Sequence, residues 1–295
     1  MHKLENVNCI YTNADCLTNK ISELRLQVKN HNPQIVGITE VKPKNFRYQL
    51  SNSEIALEGY ELFGSNLQNK TGRVLCIYIQ DTLQANPVKF KTNFEESVWV
   101  SIKLVDGDEL LIGCIYRSSS GNDTNNENLL KLLLEINKAK YSHLLIMGDF
   151  NFEKINWDTW SIPSNESCID FKFIECIRDR FLFQHVHKPT RARIDHEPHI
   201  LDLVLTNEES MISNIERLSL LGKSDHSLLQ FTFNCYIQQA NNERVKNYYD
   251  KANLTEMGTE LLAMNLDEIL SIENINEQWT IFEDIIMATR DKHVP

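Results

Sequence analysis

A chain of 295 residues with 42% hydrophobic and 24% charged side chains can bury one large core, or one core and a small appendage. No apolar run approaches the roughly 20 residues a membrane helix needs, and Met1-His2-Lys3-Leu4-Glu5 lacks the apolar centre of a signal peptide, so the expectation is an intracellular protein with no membrane partner. The formal charge of −11 excludes a protein that merely coats nucleic acid, but not a nuclease, because a metal cluster needs acidic residues and a bound cation reverses the local field.

The seven cysteines are odd in number and scattered, with no C-x-x-C pair. Several lie in apolar runs such as Leu75-Cys76-Ile77, which reads as reduced, mostly buried thiols rather than a zinc site.

Along the chain, Val7 to Tyr11 reads as a strand, and Asn19 to Lys29 carries Ile21, Leu24 and Val28 at helical spacing. Asn32-Pro33 breaks that helix, and Ile35 to Ile38 is a short buried strand. Val98, Val100, Ile102 and Leu104 alternate with Trp99, Ser101 and Lys103, the period of a half-buried strand. Asp106-Gly107 is a hairpin turn, and Glu109 to Tyr116 is the returning strand. A helix from Glu127 to Lys138 leads to the strand Leu144 to Met147, and further strands fall at Leu201 to Thr206, Ile212 to Leu220 and Ser227 to Cys235. Many strands in hairpins with occasional long crossovers predict two packed sheets covered by helices. After Gln238 the character changes. Gln239 to Glu243 is a polar linker, and Leu254 to Leu270 and Glu277 to Thr289 read as amphipathic helices, so domain boundaries are expected at 1–238 and 239–295.

Polar residues gather at strand ends. Asp149 and Asn151 follow an apolar strand two apart, which extended backbone would point to one side. A carboxylate beside an amide can hold an attacking water and bond a phosphate oxygen, although Gly-Asp-Phe-Asn alone reads equally as a polar turn. Asn13 and Asp15 repeat the arrangement, Glu40 leaves the next strand, and Ser224-Asp225-His226 precedes another. Asp202 is an acid inside an apolar strand, where it needs a partner, and a histidine is the natural one. Hard oxygen donors suit Mg²⁺ or Mn²⁺ better than zinc. Neither a phosphate-binding glycine loop nor a G-x-S-x-G elbow is present.

In order along residues 6 to about 235, the motifs are Tyr11-Thr12-Asn13-Ala14-Asp15, Gly37-Ile38-Thr39-Glu40, Ile115-Tyr116-Arg117-Ser118, Met147-Gly148-Asp149-Phe150-Asn151, Lys188-Pro189-Thr190-Arg191, Leu201-Asp202-Leu203-Val204-Leu205-Thr206-Asn207 and Lys223-Ser224-Asp225-His226. Together they resemble the endonuclease/exonuclease/phosphatase superfamily, which contains DNase I and the exonuclease III-type abasic endonucleases. Within it they resemble the endonucleases of chicken-repeat and jockey-like non-LTR retrotransposons.

The resemblance implies an α/β four-layer sandwich of two mainly antiparallel sheets flanked by helices, with a C-terminal helical extension. It implies that Glu40 binds Mg²⁺ or Mn²⁺ with Asp15 and Asp225 nearby, and that Asp149 orients or deprotonates water. Asn151 and Asn13 would hold phosphate oxygens, His226 with Asp202 would stabilise charge at phosphorus, and Tyr116 would meet the phosphate or leaving group. Arg117, Lys188, Thr190, Arg191, Arg193, Lys223 and Ser224 adjoin the motifs as DNA contacts, with scattered solvated basic residues as the alternative. The expected reaction is a DNA nick leaving a 3′-hydroxyl and a 5′-phosphate, made in the nucleus and used by a reverse transcriptase module absent from this chain. An abasic-site endonuclease or another phosphoesterase of the same fold is the alternative, and a catalytically inactive binding module is the second.

Overall fold

The computed structural model describes residues 3–42, 50–65, 74–104, 107–119, 121–138, 141–163, 167–191, 197–238, 251–264, 271–272 and 274–294. The chain divides into two compact units, Met1–Asn241 and Asn242–Pro295. The polar stretch 239–243, Asp106 of the expected hairpin turn, Arg193 and the end of the expected helix at 265–270 lie outside the described residues.

The first unit is built on two six-stranded sheets. One contains β1 (Lys3–Asn13), β2 (Ile35–Thr39), β3 (Tyr60–Ser65), β4 (Leu75–Gln80), β11 (Ile212–Leu218) and β12 (Leu228–Gln238), in the order β11-β12-β1-β2-β4-β3. The other contains β5 (Ala85–Pro87), β6 (Ser97–Lys103), β7 (Glu109–Tyr116), β8 (His143–Asp149), β9 (Phe183–Gln184) and β10 (Asp202–Thr206), in the order β5-β6-β7-β8-β10-β9. Each sheet is mixed: β1 runs parallel to β2 and β7 parallel to β8, and the remaining pairings are antiparallel.

Strand periodicity explains the layers. Val7, Cys9 and Tyr11 of β1 point between the sheets and pack with Val100, Ile112, Met147 and Phe231. Ile10, one residue out of step, points outward and packs with Val36, Ile38 and Leu24 of α1 (Ile21–His31). On the far side, α3 (Asp123–Lys138) and α4 (Ile169–Arg178) bring Leu129, Leu132, Phe173 and Ile177 onto Leu111, Ile146 and Leu203. Two sheets and two covering layers of helix make the expected four-layer sandwich. A short α2 (Asn52–Ile55) with a capping box on Ser51 completes the helices of this unit.

One expectation about an element needs correcting, and one helix lay outside the expectations. β6 is buried on both faces, not half-buried, because Trp99 packs into the layer beneath α3 while Val98, Val100 and Ile102 face the other sheet. Helix α4 carried no recognised start signal in the sequence, since its N-cap is Cys168, whose Sγ accepts from Phe171 N at 3.4 Å.

The second unit contains α5 (Leu254–Leu262), capped by Asn253, and α6 (Ile275–His293). Glu260 of α5 accepts hydrogen bonds from Lys292 and His293 of α6, at 2.8 and 2.6 Å. Leu262, Ile275 and Trp279 remain exposed.

Candidate active site

Strand direction decides where the polar residues go. Because β1 and β2 are parallel, and β7 and β8 are parallel, Asn13, Glu40, Tyr116 and Asp149 leave their strands at C-terminal ends. The antiparallel neighbours β10 and β12 start where those strands end, and they bring in Asp202 and, just before Leu228, His226. Asp202 and Asp149 are direct register partners. Strands far apart in sequence therefore deliver their ends to one rim of the sandwich.

The chain leaves this rim through tight turns. Asp15, Cys16, Glu40 and Asn151 have φ of 40°, 74°, 52° and 50°, a left-handed region that non-glycine residues seldom occupy and that clusters at functional sites. Asn151 thus sits beside Asp149 through a left-handed turn, not through the extended backbone expected from the sequence.

At the centre, Asn13 Nδ2 donates to Asp149 Oδ2 at 2.8 Å and to Glu40 Oε1 at 3.1 Å. His226 Nδ1 meets Asp202 Oδ2 at 2.7 Å, so the proton on Nδ1 points at the carboxylate and Nε2 faces the site. Nε2 lies 4.0 Å from Asp149 Oδ2 and 3.9 Å from Asp225 Oδ1. The Tyr11 hydroxyl donates to Asp202 Oδ1 at 3.0 Å. Asp149, Asp202 and His226 are all buried, and Asp149 Oδ1 has no hydrogen-bond partner among the described residues.

Burial and the nearby Asp202 push the Asp149 carboxyl up to about 7, against smaller opposing effects of His226, Asn13 and Asn151. Burial alone would lower His226, but Asp202 first, and then Asp149 and Asp225, outweigh it and raise the imidazole to about 9. Near neutral pH the site therefore pairs a carboxyl poised to exchange a proton with an imidazole that holds one.

Three residues expected to meet DNA are turned inward instead. Arg117 is buried; its Nε donates to Asn126 Oδ1 at 2.8 Å, its Nη1 donates to the carbonyls of Phe150 and Asn151, and its Cζ lies 4.1 Å over the Phe152 ring. Asn151 Nδ2 returns a bond to Arg117 O at 2.9 Å, so this pair locks the turn after Asp149. Thr190 is buried, and its Oγ1 accepts from the amides of Leu201 and Asp202 at 3.2 and 3.0 Å. Ser224, also buried, donates from Oγ to Asn13 O at 2.8 Å and accepts from His226 N at 3.2 Å. These side chains brace the backbone that carries the site.

Lys188 and Lys223 are exposed. Arg191 is half-buried and pairs with Asp225 at 2.8 Å and Glu153 at 3.7 Å. Tyr116 is register partner of Asp149 and lies mostly buried between the sheets, and the Asp15 carboxylate is exposed. A groove of about 850 Å³, lined by His185, His187, Lys188, Arg217 and Ser227 among others, flanks the centre without containing Asp149 or His226.

Two residues with no expected role also build the site. Lys20 is buried and its Nζ donates to the carbonyls of Ala14 and Asp15, both at 2.7 Å, which pins the turn after Asn13. Tyr11, quoted only as part of a motif, reaches Asp202 across the layer between the sheets. Nothing in an apolar strand distinguishes such a tyrosine from a core aromatic.

The donor set fits a divalent cation. Asp149, Asp202 and His226 offer ligand atoms within 4.8 Å of one another, Glu40 joins them through Asn13, and Asp225 borders Nε2. Carboxylates dominate the set, and Asp149 Oδ1, without a partner among the described residues, is open to a cation or a donor. Both oxygens of Asp202 and the Nδ1 of His226 are already engaged, and among the described residues the group whose ligand atoms lie close enough to share a cation is Asp149, Asp202 and His226.

Residues 110–230 match the family described as endonuclease-reverse transcriptase. No curated protein matches the chain in sequence. Among solved structures, the endonuclease domain of TRAS1, a telomere-specific non-LTR retrotransposon, superposes with a TM-score of 0.59 at 16% identity over 78% of this chain and 99% of that one. The AP endonuclease LMAP from Leishmania major gives 0.60 at 11% identity, covering 78% and 88% of the two chains. The 3′-5′ exonuclease NExo from Neisseria meningitidis gives 0.59 at 13% identity, covering 77% and 99%. At these identities the structures establish the fold, and with the matched family they bear out the resemblance to the endonuclease/exonuclease/phosphatase superfamily and its retrotransposon endonucleases.

Proposed function

We propose that this chain, a nuclease-type protein of the endonuclease/exonuclease/phosphatase fold, is a divalent-metal-dependent DNA endonuclease that nicks one strand to leave a 3′-hydroxyl and a 5′-phosphate. The observation that carries the reading is the convergence of Asn13-held Asp149 and Asp202-held His226 on one point, with Asp149 Oδ1 buried and without a partner among the described residues.

Asp149 uses Oδ2 for Asn13, so Oδ1 is the atom that accepts the proton of an attacking water, and a carboxyl near 7 suits a general base at neutral pH. The Asn13 amide spends both protons on Asp149 and Glu40 and so orients them, while the Asn151 amide, which gives one proton to Arg117 O, keeps the other for a neighbouring oxygen. His226 keeps its Nδ1 proton on Asp202, and its Nε2 is the donor available to charge developing at phosphorus. Mg²⁺ or Mn²⁺, held by Glu40 with Asp15 and Asp225, would supply charge neutralisation and Lewis acidity when bound. Lys188, Lys223 and Arg191 remain as contacts for the DNA backbone.

DNA is the proposed substrate, and the nick serves as a primer for a reverse transcriptase module in the nucleus. The segment expected from the sequence at 239–295, which includes the compact unit Asn242–Pro295, is proposed as a helical extension toward that module. Incubating the purified chain with supercoiled plasmid and with an abasic duplex tests the substrate. Nicks in intact plasmid that DNA ligase reseals directly support the reading. Cleavage confined to the abasic duplex would support the repair alternative, and no cleavage with any divalent cation would leave a binding module.

A further inference from the structure

The side chain of Tyr11 crosses from one sheet to the other. It belongs to β1, is fully buried, and its hydroxyl sits 3.0 Å from Asp202 Oδ1 and 3.1 Å from Thr39 Oγ1. A phenol has one proton. Tyr11 gives that proton to the Asp202 carboxylate, so Thr39 supplies its own hydroxyl proton to the phenol oxygen. The other carboxylate oxygen, Oδ2, takes the Nδ1 proton of His226 at 2.7 Å. A continuous chain of donors therefore runs from Thr39 of β2 through Tyr11 of β1 to Asp202 of β10, where it meets His226.

Tyr11 lies beside a glycine whose missing Cβ makes room for Met147 rather than for the phenol. Gly37 is the register partner of Tyr11, and a Cβ there would lie 3.5 Å from Tyr11 Cδ2 and 2.4 Å from Met147 Sδ. Asp202 needs the support of that donor chain. It is fully buried at the first position of its strand, and its backbone is held by Thr190 while its carboxylate could rotate about the side-chain bonds.

We propose that Tyr11 is a positioning residue for the phosphodiesterase reaction. By occupying Oδ1, its hydroxyl fixes the plane of the Asp202 carboxylate, keeps Oδ2 on His226 Nδ1, and so keeps Nε2 aimed into the site. The inference rests on the endonuclease reading for its catalytic consequence, but not for its structural one.

Tyr11→Phe removes the hydroxyl and keeps the ring, so the packing between the sheets is preserved. The first readout needs no activity. Proton NMR of the full chain should show the His226 Nδ1 proton far downfield, identified by its loss in His226→Ala, and Tyr11→Phe should shift or broaden it. The second readout is kinetic: kcat for nicking should fall about tenfold or more with KM within about twofold, as for an interaction made in the transition state. In an Asp202→Asn background the same substitution should have no further effect. Thr39→Val, which removes the outer link alone, should shift the resonance in the same direction and serves should Tyr11→Phe fail to fold. An unmoved resonance with unchanged kcat in either folded variant overturns the proposal, as does an equal loss in the Asp202→Asn background. If the wild type cuts no DNA, the endonuclease reading fails while the NMR comparison still decides the role of Tyr11.

Discussion

Gly148→Ala joins strand packing to the site in one methyl group. Gly148 is the register partner of Ile115 in the parallel pair β7–β8. A Cβ at position 148 would lie 2.1 Å from Ile115 O, 2.9 Å from its carbonyl carbon and 3.0 Å from its amide nitrogen. Comfortable contact begins near roughly 3.5 Å, so the strands must part by roughly 1 Å or more. The obstacle is backbone, which cannot swing aside as a side chain would. Overpacking of this kind costs about 1–3 kcal/mol and occasionally more, which for a domain of this size is roughly 2–12 °C in Tm. The next residue is Asp149, whose 2.8 Å bond from Asn13 would stretch beyond about 3.5 Å and cease to be one. Misplacement on that scale costs about 10²-fold in rate. Thermal melting and plasmid nicking of the purified variant measure both effects. Gly258→Ala is the control: it lies in helix α5, where a Cβ meets nothing within 4 Å, and should be neutral or stabilising by up to about 1 kcal/mol. Equal melting and equal nicking for the two variants would refute the packing argument.

Three further outcomes follow from other parts of the molecule. His185 is lowered to about 4 by burial and then by His187, and its Nε2 bonds Thr206 Oγ1 at 2.7 Å. The unfolded chain binds more protons between that value and about 6.5, so the contribution of His185 is complete above about 6.5 and lost as pH falls toward 4. His185→Gln should flatten the acid-side loss of stability in denaturant titrations at several pH values, and an unchanged pH slope would contradict this. Truncation after Gln238 should leave a cooperatively melting fragment that still nicks DNA, because the candidate catalytic residues lie before Leu228; an insoluble or inactive fragment would place the C-terminal helices in the catalytic fold. Lys188→Ala and Lys223→Ala should each weaken DNA binding and reduce the salt dependence by about one phosphate contact, and an unchanged salt slope would remove them from the interface.

Much of this was legible in the sequence because strand ends announce themselves where an apolar run meets a polar residue. That switch located Asn13, Glu40, Asp149 and His226, and the cost of an unpaired acid inside a strand pointed Asp202 toward a histidine. The direction of a polar side chain was not legible. Arg117, Thr190 and Ser224 adjoin the motifs as Lys188 and Lys223 do, yet they turn inward to backbone groups that only the folded chain brings near. Tyr11 was hidden for the converse reason, since its ring is ordinary core and only its hydroxyl reaches the site. Helix α4 escaped because a cysteine caps it in place of the usual serine or aspartate.

The central claim is that Asp149 activates water in a cation-dependent phosphodiesterase. The direct measurement is the nicking rate of supercoiled plasmid by wild-type protein and Asp149→Asn, each with Mg²⁺ and with excess EDTA. The account predicts that the wild type nicks only with the cation, and that the folded variant is slower by at least about 10²-fold, the scale for loss of a general base. Wild-type rates from folded Asp149→Asn, or undiminished nicking in EDTA, would contradict it.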